Sequence, residues 1–505
     1  MSELVTKPIT AAELVGFAKS STHPTTSTYY DSHERNDRPV DEESMSSDAP
    51  SLPGSNVTPW AIGLAAAMAS ELLLLAAFGW FHGATTPDTL SYRAVLIWPD
   101  AFAGMRHPLY GLFLEAMSPI EAHLTAIAIL QATFHVMACA LLFREACRFG
   151  LGAQASFSLA ASAFFSQAFL LYGRQVLPEA PAFSAMIIAL AAMFRWTGCA
   201  QPAKGALLCI AICSGLSIFL RPIFLAALPV MPAMTLYLTQ IAGSGRPWRR
   251  TLAVAVAVCL PLMAQSTVRA FSVGDFNVVS FGGFAMAGVA GLMMEPEDVP
   301  LYPSDMRNFA GALLSKRTAA EQAGTVYATP LNSSGQRSFI SAALGYFDIY
   351  ARTIDHLTWG VVLTFRADGE SWVQFNKRMQ HFALATLFLK PERWAAWIVG
   401  GGSRFVGRAI VTNGPFVIFA ILLLLTAAAR PSHLAYLGTR ISPRDWGTVC
   451  LFAFGWAAIG ISLGLLTSFP ATRYIDTAGM FLPALPLLGL IAIWPTSLLA
   501  RAGTK

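Results

Sequence analysis

The sequence predicts an all-α polytopic membrane protein with about ten transmembrane helices and a small, mostly helical domain on the outer face. Three observations predict it. Apolar stretches of about 20 residues, enough to cross a hydrocarbon core of about 30 Å, recur along the 505-residue chain. Hydrophobic residues make up 55% of it and charged residues only 12%, which excludes a string of soluble domains. Basic residues in the short connecting loops fall mostly on alternate loops, as a fixed orientation in a bilayer requires.

Residues 1–57 are rich in Ser, Thr, Asp, Glu and Pro, and carry nine acidic residues against Lys7, Lys19, Arg35 and Arg38. They read as a disordered cytoplasmic tail. No charged-then-apolar pattern with a small-residue cleavage site opens the chain, so the first span, about Pro59 to Trp80, serves as an uncleaved anchor. Further spans are expected at 122–143, 154–172, 180–196, 205–220, 222–240, 251–268, 413–429, 446–467 and 476–497. The pair flanking Arg221-Pro222 is the weakest, since proline disfavours a helical residue before it. The expected organisation is a transmembrane module at 58–268 with a first outer loop at 81–118, an outer-face domain at 269–412, and C-terminal spans at 413–505. The outer segment mixes polar stretches such as Glu295-Pro296-Glu297-Asp298 with amphipathic runs at Ser338–Tyr350 and Phe375–Leu389.

With the N-terminus in the cytoplasm, that face gathers twelve basic residues in its short loops: Arg144, Arg148, Arg195, Lys204, Arg246, Arg249, Arg250, Arg430, Arg440, Arg444, Arg501 and Lys505. The outer face holds five: Arg93, Arg106, Arg174, Arg221 and Arg473. The tail just before the first span lacks a basic residue after Arg38, which pulls the other way, but the summed count decides. The formal charge of +5 therefore reflects orientation and contact with anionic membrane lipid, not nucleic-acid binding. The seven cysteines form no CxxC pair and sit in or beside apolar segments, where they act as small buried hydrophobes. His135 and His433 stand alone and meet local polar needs. The triplet at Asn332 and the three glycines at 400–402 carry no function.

Four outer loops each place an ionisable residue beside an apolar helix end. The first reads PDTLSYRAVLIWPDAFAGMRHPLY and holds Asp88, Tyr92, Asp100, Arg106, His107 and Tyr110. The second, LYGRQVLPEA, holds Arg174 and Glu179; the third, FLRPIF, holds Arg221; the last, FPATRYID, holds Arg473 and Tyr474. Taken singly, each has a plainer reading: a loop acid is a solvated turn residue or helix N-cap, and an arginine snorkels to headgroups. Charges at membrane depth are costly, however, and their joint placement on one face marks a site. The chemistry suits transfer of a sugar from a lipid phosphate. The attacking hydroxyl needs a carboxylate base, here Asp88, and the departing phosphate needs positive donors such as Arg473, Arg221 or Arg174. A single in-line displacement inverts the anomeric centre.

At these residues the chain resembles the GT-C superfamily of membrane glycosyltransferases. The likeness rests on Asp88 followed by Tyr92 and HPLYGLFL from His107, on LPEAPAF at Glu179, and on Arg221-Pro222 ending a span. SFGGFAMAG from Ser280 and Arg473-Tyr474 before the last span complete it. It covers about residues 60–497 and is nearest to the bacterial dolichyl-phosphate-mannose-protein mannosyltransferase-like and aminoarabinose transferase-like group. The resemblance implies a GT-C-like fold, a polyprenyl-phosphate sugar donor, a lipid, glycan or protein acceptor, an essential first-loop acid, and a bacterial inner membrane with the active site facing the periplasm. One departure stands out: many relatives carry paired acids in that loop, whereas Asp88 is followed by Thr89. Asp88 then acts alone, or Asp100 takes the second role. The resemblance fixes no cofactor: the enzyme is metal-independent, or a divalent metal of the kind some superfamily members use is held by Asp88, Asp100, Glu179 and His107. The competing readings are a transporter or flippase of envelope precursors, a polysaccharide polymerase or ligase, and a non-catalytic scaffold. Charges gathered at one face and the lack of visible repeats disfavour transport.

Overall fold

The computed structural model describes residues 54–86, 88–89, 92, 100–117, 124–198, 204–243, 245–325, 356–467 and 472–494. The expected tail up to residue 53, Arg93, the side chain of Asp100, the run Ser338–Tyr350, Asn332 and the last basic residues Arg501 and Lys505 lie outside the described residues. Among those described, every regular element is a helix and no strand forms beyond one isolated bridge. In order they are α1 (Gly54–Ala77), α2 (Pro108–Ala116), α3 (Leu124–Arg148), α4 (Ala153–Phe164), α5 (Gln167–Tyr172), α6 (Glu179–Gly198), α7 (Lys204–Leu220), α8 (Ala227–Ile241) and α9 (Pro247–Val273). There follow α10 (Gly282–Met293), α11 (Ser304–Gln322), α12 (Trp372–Leu389), α13 (Pro391–Val411), α14 (Gly414–Ala429), α15 (Pro443–Cys450), α16 (Trp456–Thr467), α17 (Thr472–Ala478) and α18 (Ala484–Ile493).

Among the described residues, seven helical stretches are long and apolar enough to cross a membrane: Val57–Ala77, Leu124–Arg148, Ala153–Tyr172, Glu179–Gly198, Pro222–Ile241, Pro247–Val273 and Pro443–Leu465. An eighth arises if α13 and α14, which meet at 68°, count as one broken span. The expected spans at 205–220 and 476–497 are apolar but fall short in length. Pro222 stops α7 at 17 residues and holds Arg221 in an extended conformation, φ −145° and ψ 107°. A turn at 479–483 cuts the last expected span into α17 and α18.

Burial sorts these helices. α6 is the central one, 83% of its apolar stretch buried, and it meets α3 at Ser184, which bonds His135, and α7 at the Ala182 carbonyl, which accepts from Ser217. Small residues let helix backbones approach where no hydrophobic force separates protein from lipid. α1 is peripheral, 17% buried, and turns Ile62, Leu73 and Leu74 outward; Phe78, just beyond its end, is exposed too. Gly215 of α7 takes the ring of Pro261 of α9, which a Cβ there would meet at 2.7 Å.

In the 269–412 segment, α10 lies against α12, and Arg317 of α11 donates to the carbonyls of Gly291 (2.7 Å) and Met294 (2.6 Å), capping the end of α10. The α10–α12 contact is backbone-tight at Gly283, where a Cβ would collide with the Asn376 carbonyl, whereas a Cβ on adjacent Gly282 meets nothing within 4 Å. Gly283→Ala is therefore expected to cost about 1–3 kcal/mol and Gly282→Ala almost nothing. Thermal unfolding of the two variants side by side in detergent checks this. Equal melting would mean that α10 and α12 are not this close.

Candidate active site

The loop following α1 is laced to the loop preceding α6 before either reaches a charge. The Ala84 N–H donates to the Arg174 carbonyl (3.0 Å) and the Val176 N–H to the Ala84 carbonyl (2.8 Å), forming the isolated parallel bridge. Thr89 turns back on Thr86 (N–H to carbonyl, 2.9 Å) and donates its hydroxyl to the Val176 carbonyl at 2.9 Å. Gln131 of α3 supports the second loop by donating to the Gln175 carbonyl at 3.1 Å. These bonds hold residue 88 beside the start of α6, where Glu179 occupies the first turn at the positive end of the helix. Thr89 is buried and works as a fastener.

The charged side chains then meet in one chain of contacts. Asp88 Oδ1 accepts from Arg106 Nη2 at 3.0 Å, and Oδ2 accepts from Arg473 Nη1 at 2.8 Å. The same Arg473 nitrogen lies 3.8 Å from Glu179, which is ion-paired with buried Arg221. Arg106 also lies over the ring of Tyr92, 4.8 Å from its centre, and donates to its hydroxyl at 3.2 Å. Tyr92 meets Tyr110 edge to face at 5.2 Å, and the Arg473 guanidinium lies 5.6 Å from the Tyr474 ring centre. Burial pushes the Asp88 carboxyl up, but the Arg473 hydrogen bond and the charges of Arg106, Arg473 and Arg221 outweigh it. The group is held below the ordinary carboxylate range.

His107 caps α2 by accepting the Leu109 N–H at Nδ1 (3.2 Å), and its ring stacks on Phe219 with centres 4.8 Å apart. Burial brings its pKa down to about 4, with a Gln265 contact opposing and the Arg269 charge assisting, so the imidazole is neutral at physiological pH. A cavity of about 280 Å³ opens beside these residues. Tyr92, Arg106, His107, Arg221 and Tyr474 supply its charged and aromatic lining. Phe281, Met286 and Leu463 supply apolar wall, and Asn277, Asn376 and Gln380 supply amides. A second space, of about 10 Å³, lies between Glu179, Arg221 and Arg473. It has room for about one water.

The structure thus brings together Asp88, Tyr92, Arg106, His107, Tyr110, Glu179, Arg221, Arg473 and Tyr474. Arg174 is exposed and contributes its backbone carbonyl to the loop bridge. Among the described residues no group of three or more His, Cys, Asp or Glu side chains is arranged to hold a metal. His135 is satisfied locally by Ser184 (3.1 Å) and the Ala163 carbonyl (3.2 Å), and His433 by the Ile493 carbonyl (3.0 Å).

Sequence reading missed the support of the first loop. Arg269 of α9 and Asp275, both fully buried, pair at 2.7 Å. Arg269 also donates to Ser280 Oγ (2.7 Å) and to the Phe102 carbonyl, while the Ser280 N–H reaches the Gly104 carbonyl (3.3 Å). One buried arginine thereby ties a long apolar helix, the 275–280 turn and the segment leading into Arg106 and His107. Its signal in the sequence was a lone arginine near the end of a long apolar run. Comparison with protein-family models, curated proteins and solved structures finds no match for this chain.

Proposed function

We propose that this chain is an integral membrane glycosyltransferase of GT-C type, moving a sugar from a polyprenyl-phosphate donor to a lipid, polysaccharide or protein acceptor. In this reading α7 and α18 add to the longer helices to make about ten spans. The site faces outward, in a bacterial inner membrane toward the periplasm, and 269–412 forms its outer covering. One observation carries the proposal: a carboxylate and an arginine from the first loop meet Arg221 and Arg473 from two other segments, and Arg106 and Arg221 also line a cavity with a largely apolar wall. That combination pairs a proton acceptor with phosphate-binding cations beside space for a lipid-linked substrate.

In the reaction, Asp88 takes the proton of the acceptor hydroxyl as its oxygen bonds to the anomeric carbon. The bond from that carbon to the donor phosphate breaks, and the electron pair leaves with the polyprenyl phosphate. Arg473, Arg221 and Arg106 offset the charge gathering on the leaving group. Attack and departure on opposite faces invert the anomeric centre. The neutral His107 shapes the cavity without adding charge.

The direct test is release of polyprenyl phosphate by purified protein given a panel of polyprenyl-phosphate sugars and a membrane lipid extract. No release from any donor of a broad panel would favour transport or a scaffold instead. A pH expectation follows from the arginines around Asp88. A depressed pKa keeps the base charged as pH falls, so kcat/KM should hold through pH 5 and decline only below the ordinary carboxylate value of about 4. An acidic limb near pH 6 would point to another base.

A further inference from the structure

Both oxygens of Asp88 are engaged by guanidinium N–H groups. A base in that state is restrained: accepting a proton neutralises the carboxylate and weakens both charge-assisted hydrogen bonds. The charges around it are not balanced. Among the described residues, Arg106, Arg221 and Arg473 face Asp88 and Glu179, three cations against two anions in one contact chain. The neighbouring Asp476, which accepts from the Tyr172 hydroxyl at 3.1 Å, has Arg408 close by and leaves that excess unchanged. Among the described residues the cluster is one negative charge short, the charge of a single phosphodiester. Arg106 and Arg221 also line the main cavity, whereas Asp88 does not, and Arg473 borders the small space beside Glu179 and Arg221.

Resting on the glycosyl-transfer reading, we infer that Asp88 fills the seat of the donor's phosphate, as an internal anion shared between Arg106 and Arg473. The arriving phosphate takes over these guanidiniums, and the carboxylate is released as a base only once a donor is bound. Without donor, the paired carboxylate does not activate a hydroxyl, so an empty site does no chemistry. The exchange is ionic throughout: one anion replaces another on the arginines and no covalent bond changes. Its consequence is unusual for a residue essential to turnover. Removing the Asp88 charge removes a competitor and should improve phosphate binding.

The test is binding of farnesyl phosphate to the detergent-purified protein by isothermal titration calorimetry, with farnesol as the uncharged control. Asp88→Asn should bind farnesyl phosphate about tenfold more tightly than wild type, a difference of about 1.4 kcal/mol, with farnesol unchanged. Arg106→Gln and Arg473→Gln should each weaken farnesyl phosphate binding, and unchanged melting temperatures verify folding. Equal affinity of wild type and Asp88→Asn overturns the shared seat and leaves glycosyl transfer standing. Farnesyl phosphate binding no better than farnesol to any variant overturns the seat and the lipid-phosphate donor together.

Discussion

On the proposed glycosyl-transfer reading, Asp88→Asn is expected to lower sugar transfer by about 10²–10⁴-fold, roughly 3–5 kcal/mol of barrier, while leaving the protein folded. Asn matches the shape of Asp but cannot take a proton from the acceptor hydroxyl. The substitution also removes the anion that Arg106 (3.0 Å) and Arg473 (2.8 Å) hold. The two losses act in opposite directions on the kinetic constants. Turnover falls because the base is gone, and KM for the donor falls because the arginines are freed for phosphate. A disrupted loop would instead raise KM and lower kcat together, so the split separates chemistry from damage. Release undiminished by Asp88→Asn would move the base elsewhere, first to Asp100.

The second large effect concerns stability. Arg269→Ala is expected to destabilise the protein by about 3–5 kcal/mol, since it leaves the buried Asp275 carboxylate without its cation. Ser280 and Asn277 still donate to Asp275, at 3.1 and 2.7 Å, but neither carries charge. Loss of the bond to the Phe102 carbonyl also loosens the chain that leads into Arg106 and His107. A lower melting temperature in detergent should therefore come with weaker farnesyl phosphate binding. Removing both charges at once, in Arg269→Met with Asp275→Leu, should melt higher than Arg269→Ala, because no unpaired charge then stays buried. A melting temperature unmoved by Arg269→Ala would mean that the pair is not buried in the folded protein.

Which charged residues the fold gathers was largely legible in the order of residues. Asp88, Glu179, Arg221 and Arg473 stood out because each interrupts or borders an apolar run, and a charge beside hydrocarbon is costly enough to need a reason. His107 was legible from its place before Pro108. Arg269 was not read, since a lone arginine near a helix end resembles one that snorkels to headgroups. Thr89 was noticed only as an absent acid. Its hydroxyl bond to Val176, 87 positions away, is what gives it a role.

What the sequence by itself determined is the all-helical class, the long apolar helices and the set of polar loops, because helix length, hydropathy and proline breaks are local properties of the chain. Tertiary structure decided who meets whom. Asp88 and Arg473 are 385 positions apart, and their contact depends on how whole helices pack. The same holds for the difference between Gly282 and Gly283, identical as residues and neighbours in sequence. One borders open space and the other lies against a backbone carbonyl. Close packing is a property of surfaces brought together, and no single stretch of chain contains both surfaces.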